Sequence, residues 1–206
     1  KRSGLIELPN DFVAYSKRMG VDKKIKAGIY TLNTNMSIKD ILKILVSGER
    51  SETWITIPEG WRIDQIAIYL EKQGLVEKEE FMEKAKVKNF ASKPFLSGLN
   101  GNTSLEGYLF PDTYRIFSDS SSEDIINVML DNFGRKVNKE MMDKANAMGF
   151  TLHQFITFAS IVDKESAHSE DIKTISSVYH NRLKQGMLFQ SDATITYITK
   201  RPDARP

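Results

Sequence analysis

The segment Phe158-Ala-Ser-Ile-Val-Asp-Lys-Glu165 ends an apolar helical pattern on a carboxylate. Phe158, Ile161 and Val162 precede Glu165 by seven, four and three residues, so all four side chains share one helix face. A carboxyl at the edge of such a core would be partly desolvated. Desolvation disfavours the charged form and raises the pKa, which lets the group hold a proton near neutral pH as a general acid must. From the spacing alone, a solvated glutamate near a helix end is the more ordinary reading.

Other chemistries find little purchase. His153, His168 and His180 lack the HExxH spacing of a zinc site, and without cysteine there is no thiolate ligand or disulfide. No phosphate-binding loop, dinucleotide fingerprint or G-x-S-x-G elbow occurs, so Ser160 and Ser166 have no motif support as nucleophiles. No metal or cofactor is expected. The 206 residues carry 29 basic and 27 acidic side chains, a net charge of +2, and this weak field points to neither nucleic acid nor an anionic membrane. No apolar run reaches the roughly 18 residues of a membrane-spanning helix.

The elements that must position Glu165 can be read in outline. Strands are expected over 27–32 and 52–57, separated by a helix whose stripe is Ile38, Ile41, Leu42 and Leu45. Ser37 and Asp40 open that helix as a capping box and Gly48 closes it. Ile63, Ile66, Ala67 and Leu70 mark a second helix ending before Gly74. Trp54 and Trp61 could offer flat faces to sugar rings, although packing in a core or between domains is the more ordinary use. The polar stretch 84–102, with Pro94, Gly98 and Gly101, reads as a connection, dividing the chain into regions 1–90 and 91–206.

Helices are expected around 125–133 and 141–148, the methionines of the second packing in a core rather than binding metal. Thr151 should cap a largely buried helix running to Glu165. Another helix carries Ile172, Ile175, Tyr179 and Leu183, and 189–198 has a β-rich composition. The predicted class is α+β, a small α/β module followed by a mostly helical domain with some β-structure.

Three longer motifs, Leu105-Glu-Gly-Tyr-Leu-Phe-Pro-Asp-Thr-Tyr114, Asp163-Lys-Glu165-Ser and the segment from Ser177 to Asp192, resemble the YceG-like family of endolytic murein transglycosylases. Lys26-Ala-Gly-Ile-Tyr30 and Ile57-Pro-Glu-Gly-Trp61 extend the resemblance through the amino-terminal part, which in the family is LysM-like. Asp163 stands where the family usually has glutamate, leaving Glu165 as the residue onto which the catalytic role carries. Ser166 replaces a threonine, and Ser191-Asp192-Ala193 replaces Thr-Asp-Pro, keeping hydroxyl and carboxylate while freeing the backbone.

The resemblance implies cleavage of the β-1,4 bond between N-acetylmuramic acid and N-acetylglucosamine, leaving 1,6-anhydromuramyl ends. Glu165 would serve as acid and then base. Gln190 and Asp192 are the first candidates for substrate contact, followed by Asn181, Glu106, Tyr108, Tyr114 and Ser166. The implied partners are peptidoglycan glycan strands and the synthases that make them. The implied setting is the outer face of a bacterial cytoplasmic membrane, reached through an amino-terminal anchor preceding Lys1, with more of the catalytic domain following Pro206. A noncatalytic glycan-binding scaffold is the alternative from another class.

Overall fold

An antiparallel pair of short strands ties distant parts of the chain together. In the computed structural model, which describes residues 9–28, 30, 32, 34–48, 51–166 and 168–199, β1 (Glu52–Thr56) pairs with β2 (Thr113–Phe117). Ile55 stands opposite Tyr114 and Trp54 opposite Arg115. The strand period of two therefore sends Ile55, Tyr114 and Ile116 into the core and leaves Trp54, Arg115 and Phe117 outside. The remaining described architecture is helical, in agreement with the α+β class.

Before β1 lie α1 (Pro9–Arg18) and α2 (Ile38–Ser47). Ser37 Oγ accepts the Asp40 amide at 3.2 Å, and Gly48 closes α2 in the left-handed conformation at φ 72°. The strand expected over 27–32 falls partly outside the described residues; 27, 28, 30 and 32 belong to no strand.

Between the strands, α3 (Ile63–Lys72) and α4 (Lys78–Lys84) are followed by two single-turn helices, Val87–Phe90 and Pro94–Leu96. This stretch was expected to connect two modules. It instead buries Val87, Phe90 and Leu96 in the same core as α3, α4, both strands and α5 (Ser122–Lys136). Its polar residues face outward, and its backbone is held by Val87 donating to Thr103 and Leu105 donating to Ala85, each at 3.0 Å. A high polar content here reflects a thin outer layer over buried anchors.

The carboxy-terminal layer contains α6 (Lys139–Ala147), α7 (Leu152–Glu165), α8 (Ile172–Lys184) and α9 (Asp192–Thr199). Met141 and Met148 are exposed, contrary to their expected core role, because α6 buries only Ala145. α7 begins with a Thr151/Gln154 capping box. It was expected to be largely buried, but only Phe158 and Val162 are; Leu152 and Ile156 are partly covered by the main core and Ile161 by a smaller one, while most of the remaining positions face outward. The β-rich 189–198 segment is another correction, forming α9 instead of a strand. Its β-branched residues are accommodated by hydroxyls turned back to the helix, Thr194 Oγ1 donating to Ser191 O at 2.7 Å and Thr199 Oγ1 to Ile195 O at 2.8 Å. No described helix is long and apolar enough to cross a membrane.

Candidate functional site

Glu165 is the last residue of α7, where the helix rests on a small aromatic core. Phe158 and Val162 of α7 and Tyr179 of α8 form that core, with Phe150, Ile161, Ile175 and Phe189 around it. Beside it opens a cleft of about 270 Å³ lined by Glu165, Thr174, Ile175, Val178, Tyr179, Arg182, Phe189 and Gln190. Among the described residues, Glu165 supplies the single carboxylate of that lining.

Glu165 is exposed, although the apolar face below it led to an expectation of partial burial. Its hydrogen-bond partner is the hydroxyl of Ser191, which donates to Oε1 at 2.5 Å. Ser191 is only 3% exposed and immediately precedes α9. Tyr179, 8% exposed, interacts with both groups: burial pushes its phenol pKa up, the Ser191 hydrogen bond opposes the rise, and the charge and hydrogen bonding of Glu165 reinforce it.

Arg182 lies one turn beyond Tyr179 on α8. Its Nη1 donates to Phe189 O at 2.5 Å and to Leu188 O and Gln190 Oε1 at 3.3 Å each. This guanidinium holds the loop that carries Gln190. Gln190 is the non-glycine described residue with positive φ, at 54°, a left-handed conformation that costs a side-chain-bearing residue about 1–2 kcal/mol. Strain of this kind concentrates where surrounding structure fixes a functional side chain.

The other expected contacts divide by position. Asp192 is exposed at the start of α9, next to Ser191, where a carboxylate also complements the helix dipole. Asn181 is exposed on α8 and is not part of the cleft lining. Ser166 Oγ donates to Val162 O at 2.7 Å, which closes the end of α7. Glu106 is half-buried and accepts the Ile63 amide at 3.2 and 3.3 Å, capping α3; burial pushes its carboxyl pKa up, partly countered by that bond.

Tyr108 and Tyr114 are core residues in this structure, not cleft residues. Tyr108 is fully buried against Phe95 and Phe133, its hydroxyl 3.1 Å from His153 Nδ1, and desolvation pushes its pKa up to about 12. The Tyr114 hydroxyl donates to Phe110 O and accepts from Asn132 at 3.1 Å. Their large buried rings hold up the motif instead of facing a ligand. Trp61 packs edge-on against Tyr69 with ring centroids 5.5 Å apart, whereas Trp54 is 66% exposed with Arg115 above its ring.

A polar latch joins the glutamate end of α7 to the β1–α3 turn. Lys164 Nζ donates to Gly60 O at 2.9 Å, and Asp163 lies beside the same glycine. The Ile57-Pro-Glu-Gly-Trp61 and Asp163-Lys-Glu165 motifs are thus neighbours in space. Among the described residues, no cluster of three or more His, Cys, Asp or Glu side chains is placed to hold a metal ion.

Tyr179 and Ser191 are the site residues that sequence reasoning did not assign. Tyr179 had been read as one apolar position of a helix stripe, although a phenol four residues after Ile175 also brings a polar tip to that face. Ser191 had a signal in the retained hydroxyl, but no spacing rule connects positions 165 and 191 across the intervening helix α8.

The chain is similar to known proteins along nearly its whole length. A model of the YceG-like family matches residues 1–205. The endolytic murein transglycosylase of Streptococcus pneumoniae serotype 2 (strain D39) is 33% identical over 219 residues, covering 96% of this chain and 39% of the relative. That of Bacillus subtilis (strain 168) is 34% identical over 212 residues, covering 96% of this chain and 58% of the relative. The crystal structure of the yceG-like protein lmo1499 from Listeria monocytogenes superposes with a TM-score of 0.63 at 28% identity, covering 98% of this chain and 70% of that one. The chain thus spans between 39% and 58% of the length of these curated relatives.

Proposed function

The chain belongs to the YceG-like family, and from that premise we propose that it is the glutamate-bearing part of an endolytic peptidoglycan lytic transglycosylase, with Glu165 as its catalytic residue. The observation that carries the reading is the lone carboxylate on the cleft wall, 2.5 Å from a buried hydroxyl and bordered by apolar and aromatic side chains. Ordinary glycosidases place two carboxylates across the scissile bond, one for the leaving group and one for water or for C1. A single carboxylate suits a reaction in which the sugar supplies its own nucleophile.

In the proposed course, protonated Glu165 gives its proton to the glycosidic oxygen as the bond from C1 of N-acetylmuramic acid breaks. The C6 hydroxyl of the same sugar then attacks the oxocarbenium-like C1 and passes its proton to the Glu165 carboxylate. A 1,6-anhydro end forms, the acid is regenerated and no water is consumed. In this reading a glycan strand laid over Ile175, Val178 and Phe189 covers the carboxylate and excludes water from it. Gln190 on the cleft wall is the first proposed contact for sugar hydroxyls or N-acetyl groups, with Asp192 and Asn181, outside that lining, as further proposed contacts.

The same reading places the protein outside the cytoplasm, beside the synthases whose strands it cuts, on an amino-terminal anchor. Failure of crosslinking to enrich any synthase would count against that association. The chemical proposal is tested by mass spectrometry of uncrosslinked glycan strands incubated with wild-type and Glu165→Gln protein. The expected result is internal cleavage and new anhydromuramyl ends with wild type, reduced at least about a thousandfold in the variant, an acid–base contribution within the usual range. Equal production by both would remove Glu165 from catalysis, and glycan binding without cleavage by wild type would favour a scaffold.

A further inference from the structure

We propose that Ser191, backed by the Tyr179 hydroxyl, is the positioning residue that orients Glu165 and assigns different work to its two oxygens. The inference rests on Glu165 being the acid and base of the proposed reaction.

Ser191 lies directly before α9, and its carbonyl receives both the Thr194 amide at 3.2 Å and the Thr194 hydroxyl at 2.7 Å. Its side chain points the other way. An ionised carboxylate can only accept, so the short Ser191 Oγ to Glu165 Oε1 contact has serine as donor. Ser191 is buried although Glu165 is exposed, so the contact is anchored in the cleft wall. Tyr179, a buried residue whose phenol interacts with both Ser191 and Glu165, comes from the helix that also carries Arg182, whose guanidinium fixes the loop leading into Ser191.

The bond has a directional consequence. With Oε1 occupied by serine, the exchangeable proton of the acid resides on Oε2, the oxygen left to meet the glycosidic linkage. Restricting the carboxyl to one rotation places that proton without further ordering when substrate arrives. Ser166, the neighbour of Glu165 in sequence, cannot serve in the same way while its hydroxyl is given to Val162 O.

The test compares Ser191→Ala, Ser191→Thr and Tyr179→Phe with wild type by steady-state production of anhydromuramyl ends. The expected result is a drop in kcat of tenfold or more for Ser191→Ala, with KM within twofold and an unchanged melting temperature. Recovery to within threefold of wild type is expected for Ser191→Thr, and an intermediate loss for Tyr179→Phe. Ser191→Ala with wild-type kcat, or a threonine variant as impaired as alanine, would overturn the proposal. A second readout is independent of activity: NMR titration of labelled tyrosine should show Tyr179 above its ordinary value, moving to lower pH in Glu165→Gln as a neighbouring negative charge is removed. A Tyr179 titration indifferent to Glu165→Gln would also overturn the arrangement. Glu165→Gln cleaving as fast as wild type, whatever the Ser191 variants do, would instead sink the functional reading itself.

Discussion

Glu106 shows how a residue of a motif that carries the family resemblance can have an energetic signature without lining the cleft. Its carboxyl is half-buried and its pKa raised, chiefly by desolvation, so the folded state holds the proton to higher pH than the unfolded state does. The stabilisation linked to that proton is complete below the unfolded glutamate pKa and is lost as pH rises through the folded one. Glu106→Gln keeps an acceptor for the Ile63 amide and removes the titration. Thermal melts should therefore show the variant gaining relative to wild type as pH rises from about 4 to 7. A constant difference across that range would assign Glu106 a purely steric role.

At this scale much was legible. Glu165, Gln190 and the hydroxyl retained at Ser191 were visible as residue types in motifs. The buried settings of Tyr108 and Tyr114 were not, because a tyrosine's amphipathic shape fits a core and a binding wall equally well. Only packing against Phe95 and Phe133, or the bond to Asn132, decides between them.

Among the elements, the loop between α8 and α9 carries the sharpest local conflict. Gln190 sits at positive φ, where glycine would be relaxed, and Arg182 holds it there. Gln190→Gly should leave stability unchanged or raise it by up to about 1 kcal/mol, the strain relieved being offset by glycine's unfolded-state entropy. The same change removes a side chain from the cleft, so anhydromuramyl-end formation should fall by tenfold or more. Loss of both stability and activity would show that the side chain serves as packing. Helices were the most readable elements, because Ser37, Thr151 and Gly48 punctuate strong periodic stripes. α9 was not readable: Thr-Ile-Thr-Tyr-Ile favours strands by composition, and helix is selected by its contact with α7 and by the back-bonded threonines.

Across the whole molecule, β1–β2 pairing ties the main core together, and the Lys164–Gly60 contact, with Leu152 and Ile156 packed on that core, joins the glutamate-bearing layer to it. Long-range contacts of this type leave no local pattern, which is why the polar 84–102 stretch looked like a linker while its buried side chains complete one core with α5. Gly60 has φ 72°, and a Cβ there would come within 2.9 Å of Lys164 Nζ. Gly60→Ala should cost about 1–2 kcal/mol through the backbone alone. It should also lower cleavage several-fold by displacing the Asp163-Lys-Glu165 end of α7. Chemical denaturation and the glycan assay would reveal both effects, whereas an active variant of wild-type stability would show that the latch does not position the site.

The central claim is that one carboxylate cleaves the glycan without recruiting water. The most direct measurement is cleavage of glycan strands in heavy-oxygen water, followed by mass analysis of every newly formed muramyl end. The account predicts anhydro ends that are one water lighter than reducing ends and contain no heavy oxygen. Reducing ends that carry the heavy isotope would contradict it, since they would require a second group, such as Asp163 or Asp192, to activate water opposite Glu165.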